Sequence, residues 1–179
     1  MMAEANALKD TGLNLYREGE YAEAAGKFEA ARDLYAAVDD QGMVAEMLNN
    51  AGLCYRGLKR WDEAMAALEG ALAAFRLLGD RERESQTLGN LGALAESRGD
   101  KRRAGVYYEQ AAAQFDELGD QQNRALTLKS LSALQLKECR HFEALATMDS
   151  SLAAAPKLSP QQWALRKLIQ VPMRLLARR

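Results

Sequence analysis

Asn50 and Asn90 stand forty residues apart in the same local setting, each two residues before the glycine of an Asn-x-Gly triplet. A side-chain amide carries donors and an acceptor together, so it can pair with both the N–H and the C=O of an extended peptide. A row of such amides grips a main chain whatever its sequence, which is binding chemistry and makes or breaks no bond. Bond-making constellations are lacking. His141 stands alone and starts a helix, where a packing or surface role is expected. No serine nucleophile, paired carboxylates or phosphate loop can be assembled. Gly89, Gly92 and Gly99 fall at helical spacing and follow no strand, so they form no nucleotide fingerprint. Cys54 and Cys139 match neither a metal nor a redox spacing. Cys54 reads as a small buried apolar residue and Cys139 as a turn residue open to solvent. The expectation is a protein without catalytic activity, metal or cofactor.

The elements that carry the amides repeat with them. Leu8, Leu48, Leu88 and Leu128 recur every forty positions, followed in phase by Gly12, Gly52, Gly92 and Ser132. Ala24, Ala64, Ala104 and Ala144 come next, then Phe28, Leu68, Tyr108 and Met148, then Ala31, Ala71, Ala111 and Ser151. Four copies of one motif mean an all-α stacked array. Each copy reads as two helices. In repeat two, Leu48, Ala51, Gly52 and Tyr55 share a face at spacings of three and four. Glycine inside a helix costs about 1 kcal/mol relative to alanine, so its recurrence at one place implies close helix approach. Gly79-Asp80 and Gly119-Asp120 supply a left-handed stop and an N-cap for the next helix. Val38-Asp39-Asp40 lacks the glycine and is expected to end its helix less cleanly. Ser159-Pro160 starts a further helix from Gln161 to about Gln170, after which Pro172 breaks or kinks it. Its Trp163, Leu165, Leu168 and Ile169 are expected to cover the open end of the array. The repeats run over about 5–40, 45–80, 85–120 and 125–158, one solenoid domain over 1–170 with a basic tail over 171–179.

Of 179 residues, 48 % are hydrophobic, enough for a sizeable core, and 24 basic residues nearly balance 25 acidic ones. No global field points to nucleic acid. The charge is uneven, with six basic residues and no acid over 150–179. The basic run around Arg98, Lys101, Arg102 and Arg103 reads as a solvated turn. No secretory signal or spanning stretch is visible, so a cytoplasmic protein is expected.

The repeated residues resemble the tetratricopeptide repeat family over about residues 5–170. Repeat two carries the match best, as Leu48, Ala51-Gly52, Tyr55, Trp61, Ala64, Leu68 and Ala71. The forty-residue length resembles the long-repeat subgroup of Pins-like adaptors, kinesin light chains and bacterial regulators. Repeat four departs furthest, with Ser132, Gln135, Cys139 and His141 in place of glycine, aromatic, glycine and aromatic. The resemblance implies a right-handed superhelix whose first helices line a concave groove.

In that groove the exposed stripe is Asn6, Asp10, Leu13 and Arg17, then Glu46, Asn50, Leu53 and Gly57. Gln86, Asn90, Ala93 and Ser97 continue it, then Leu126, Ser130, Ala133 and Lys137. The expected peptide site comprises Asn6, Lys9, Asp10, Arg17, Glu46, Asn49, Asn50, Leu53, Gln86, Asn90 and Lys137. The bland reading of the asparagines is solvated surface. A carboxylate clamp of the family's kind is not expected. Lys9 and Asn50 match it, but Leu13, Gln86 and Asn90 replace three of its five groups. The resemblance thus implies an adaptor or scaffold holding a peptide segment of a partner protein. Two rivals are a structural or self-associating module, and a membrane-peripheral assembly factor recruited by Val171–Arg179.

Overall fold

The computed structural model describes residues 1–176, with side chains through Gln170. Among these residues the elements are α1 (Met2–Glu18), α2 (Tyr21–Ala36), α3 (Gln41–Gly57), α4 (Trp61–Leu78), α5 (Arg81–Ser97), α6 (Lys101–Glu117), α7 (Gln121–Lys137), α8 (His141–Ala154) and α9 (Pro160–Leu176). Packing divides the chain after Asp100, so α1–α5 form one compact unit and α6–α9 another. Three of the predicted hairpins form within these units, as α1 with α2, α3 with α4 and α7 with α8.

The starts of α3, α5 and α7 are each set by a side-chain cap. Asp40, Asp80 and Asp120 each accept a hydrogen bond at 3.0 Å from the backbone N–H three residues on, at Met43, Arg83 and Asn123. Each such cap contributes about 1 kcal/mol by satisfying a donor that the helix leaves unpaired. The ends follow a twenty-residue rule. Gly19, Asp39, Lys59, Gly79, Gly99, Gly119 and Cys139 all adopt positive φ, between 57° and 88°. The N–H of the residue after each closes on the carbonyl five residues back, as from Asp40 to Tyr35 and from Asp80 to Phe75. This is the Schellman closure. The junction without glycine makes the same bond, and α2 ends at Ala36, where α4 in the next repeat runs on to Leu78. Asp39, Lys59 and Cys139 hold the left-handed conformation against the steric preference of a residue with a Cβ.

Glycine inside the helices marks contact. A Cβ on Gly52 would lie 2.7 Å from Leu68 Cγ, and one on Gly12 would lie 2.8 Å from Phe28 Cε1. Phe28 and Leu68 are buried with the alanines that surround them, Ala24, Ala31, Ala64 and Ala71. The small residues therefore admit the large ones, and neither can change alone. In repeat four the flexible Met148 stands at the Phe28 position, and the glycine becomes Ser132. Its hydroxyl donates to the Ala144 carbonyl at 3.0 Å and stays satisfied while buried.

Two expectations for α9 change. The helix does not stop near Gln170 but continues to Leu176 through Pro172. Proline's fixed φ is itself helical, so one lost backbone bond need not end a helix that has other support. Its apolar residues also do not cover the end of the array. Ile169 is buried, whereas Trp163, Leu165 and Leu168 are exposed at 58 %, 43 % and 70 %. Polar contacts anchor it instead, since Asp149 accepts from Arg166 Nε and Gln170 Nε2, both at 3.1 Å. Ser159 caps it, with Gln162 returning the bond to the Ser159 N–H. Trp61 is half-buried.

Gly52→Ala is expected to destabilise the protein by about 1–3 kcal/mol through overpacking against Leu68, read as a lower urea midpoint. Lys59→Gly is expected to act oppositely. It relieves left-handed strain of about 1–2 kcal/mol and returns part of that as unfolded-chain entropy, for a net gain of roughly 0.5–1 kcal/mol in the same titration.

Candidate functional site

Within the first compact unit, α1, α3 and α5 present one face, and Glu46 ties them together. Its carboxylate lies 3.9 Å from Lys9 Nζ on α1 and 3.3 Å from an Arg83 Nη on α5. Arg83 also reaches the capping carboxylate of Asp80 at 3.2 Å and stacks over the Phe75 ring at 5.9 Å. Half-exposed ion pairs of this kind contribute well under about 1 kcal/mol each, so the network orients side chains more than it stabilises the fold.

Beside it lies a cleft of about 300 Å³. Glu46, Asn49 and Asn50 line it from α3, and Arg83, Gln86 and Thr87 from α5, with Leu13 and Phe75 as apolar wall. Asn49 organises the amides. Its Oδ1 accepts from Asn90 Nδ2 at 3.0 Å, and its Nδ2 approaches Asn50 Oδ1 at 3.4 Å. Thr87 Oγ1 lies 3.3 Å from the same Asn49 oxygen, but its single proton goes to the Arg83 carbonyl at 2.8 Å. The other end of each amide is left open. Among the described residues nothing bonds Asn50 Nδ2, a donor, or Asn90 Oδ1, an acceptor.

The predicted residues thus separate. Lys9, Glu46, Asn49, Asn50, Gln86 and Asn90 gather at or beside the cleft. Asn6 is exposed and accepts from the Tyr35 hydroxyl at 2.6 Å, while Arg17 donates to Asn14 at 3.0 Å. Burial, and then the Glu46 carboxylate, hold the Tyr35 phenol above its ordinary pKa. Asp10 is exposed and Leu53 half-buried, and neither lines the cleft. Lys137 ends α7 in the other compact unit. Arg83, Thr87 and Phe75 were not anticipated. Extending the four-three-four stripe one step back from Gln86 reaches Arg83, so the signal was present. Phe75 comes from the neighbouring second helix and lies on no first-helix stripe.

Elsewhere, Cys54 is fully buried, and desolvation lifts its thiol to about 12. Cys139 is exposed at its turn. Among the described residues no acid, histidine and cysteine cluster fits a metal, and no helix is long and apolar enough to cross a membrane. The basic tail from Val171 lies outside the residues with described side chains.

Residues 43–117 match the tetratricopeptide repeat family model. The match spans the second repeat and most of the third. The same helical-repeat fold recurs in solved structures. A Rap protein complexed with competence and sporulation factor matches with TM-score 0.81 and 21 % identity, over 91 % of this chain and 44 % of that one. BtubC from P. vanneervenii matches at 0.66 and 21 %, over 93 % and 65 %. A putative kinesin light chain from Podosopora anserina, with nearly identical TPR-like repeats, matches at 0.75 and 15 %, over 92 % and 83 %. At these identities the likeness is one of fold, and this chain spans less than half the length of the Rap protein. Comparison with curated protein sequences gives no match.

The thiol environments set an expected outcome. Native protein should titrate one fast thiol with Ellman's reagent, Cys139, and the second only on unfolding; prompt reaction of both would show that Cys54 is accessible.

Proposed function

We propose that the protein is a non-catalytic adaptor that holds an extended peptide segment of a partner protein against the α1, α3 and α5 face. One observation carries this reading. Asn50 Nδ2 and Asn90 Oδ1 are left as an unbonded donor and an unbonded acceptor, held in place through Asn49. A peptide main chain offers the complementary C=O and N–H. The helical-repeat fold supports binding in general, and the Rap neighbour was solved in complex with a factor. Around the amides, Glu46 and Arg83 already neutralise each other, so the cleft has no strong preference for an acidic or a basic ligand. Leu13 and Phe75 favour an apolar side chain beside the gripped main chain. Because the amides are pre-oriented by folded elements, little entropy is lost on binding, and modest contacts suffice.

The test is capture of partners from a lysate of the native host by wild type and by Asn50→Ala/Asn90→Ala, with thermal unfolding to establish that both remain folded. A partner retained by wild type and reduced at least tenfold with the double variant is expected. Equal retention by both proteins would remove the cleft from consideration.

A further inference from the structure

The last turn of each second helix carries a ring that closes the seam onto its neighbours, except in repeat four. Tyr35, Phe75 and Phe115 stand forty residues apart and are buried to 0 %, 2 % and 3 % exposure. Phe75 packs against Ala45 and Ala71. The repeat counterparts of those two alanines are Ala125 and Ser151, and both line an open recess of about 410 Å³ between α7, α8 and α9. The counterpart of the ring is Ala155. The cause is local. Pro156 disfavours helical backbone in the residue before it. Ala155 is accordingly extended, at φ −62° and ψ 125°, and α8 stops at Ala154. Both the ring and the turn that would deliver it are missing, while the wall that a ring packs against is retained.

That wall is apolar. Leu126, Leu152 and Leu165 line it, with Leu126 and Leu165 exposed at 56 % and 43 %. Ser151 directs its hydroxyl away to the Ala125 carbonyl at 2.8 Å, so its polar group is satisfied within the fold. Lys129 is the charged residue on the lining, and no acid joins it.

We propose that this recess seats an aromatic side chain of a partner protein, with a carboxylate beside the ring meeting Lys129. The repeat itself states what fits, because the same seat is filled by a ring in the three other copies. Lys129, with no acid on the lining, sets the charge of the group next to it. This anchor is separate from the amide cleft and stands whether or not that cleft binds a main chain.

Three small probes test it: N-acetylphenylalanine, its neutral amide and N-acetylleucine amide, each titrated into the full chain and followed by backbone amide shifts. Saturable shifts confined to α7–α9 are expected, with the phenylalanine amide binding at least fivefold tighter than the leucine amide. The free acid should bind at least threefold tighter than its amide, and Lys129→Ala should abolish that difference. Leu126→Glu, at an exposed position, should remove binding while the unfolding temperature stays near wild type. Asn50→Ala/Asn90→Ala should leave probe binding unchanged, which separates this site from the amide cleft. Absence of saturable shifts, equal binding of the leucine and phenylalanine amides, or shifts mapping to α1–α5 would overturn the proposal. Phe142 is 68 % exposed and precedes Glu143. A sedimentation coefficient that rises with concentration in wild type and not in Phe142→Ala would place a second copy's ring in the seat, and overturn the assignment to a partner.

Discussion

A left-handed residue every twenty positions fixes where each helix from α1 to α7 stops, and through the backbone bond that follows it, where the next one starts. Gly19, Asp39, Lys59, Gly79, Gly99, Gly119 and Cys139 keep this beat although only four of them are glycine. The closure is therefore enforced by packing on both sides of the turn, strongly enough to hold three residues in a conformation that costs about 1–2 kcal/mol. Because the helices are then nearly equal in length, each face returns in register after forty residues. That register lets one position be compared with its counterparts within a single chain.

Helix pairing uses the register as size exchange. Gly12 and Gly52 stand where a Cβ would meet Phe28 and Leu68 inside 3 Å, so the small residue of one helix and the large residue of the next form a single unit of packing. In repeat four both members change, to Ser132 and Met148, and a hydroxyl–carbonyl bond between α7 and α8 takes over part of the contact. The repeat farthest from the family pattern is thus altered as a pair, in keeping with close-packed interiors that respond to single methylenes.

Much of this was legible in the sequence, because periodicity reports packing directly. The hairpins, the aspartate caps at Asp80 and Asp120 and the close approach at glycine all follow from residue type and spacing. The candidate site was legible only in part. Asn50 and Gln86 were found because they lie on a first-helix stripe. Asn49 was found as a residue but not as the hub of the amides, since spacing does not say which of two adjacent amides bonds across to α5. Phe75 was missed because it reaches the cleft from a second helix. The course of α9 was misread because hydrophobic residues at helical spacing do not reveal whether another element lies opposite. Trp163, Leu165 and Leu168 have the spacing of a buried face yet stay exposed, Leu165 on the open recess beside α7 and α8.

The forty-residue register also relates the two recesses to each other. Asn49 and Phe75 line the first; their counterparts Lys129 and Ala155 line the second. Glu46, which joins α1 to α5 in the first, corresponds to Leu126, an exposed apolar residue in the second. The repeat places a notch at the same point of the hairpin in both cases. Whether that notch is polar and closed by a ring, or apolar and open, is decided by a few substitutions that leave the hairpin intact. Pro156 is the most consequential of these. It removes the last turn of α8 without touching the residues that a ring would pack against, so repeat four gives up a contact that repeats one to three make internally and presents the same surface outward. Packing energy that closes the fold in one repeat is thereby left available for binding in another.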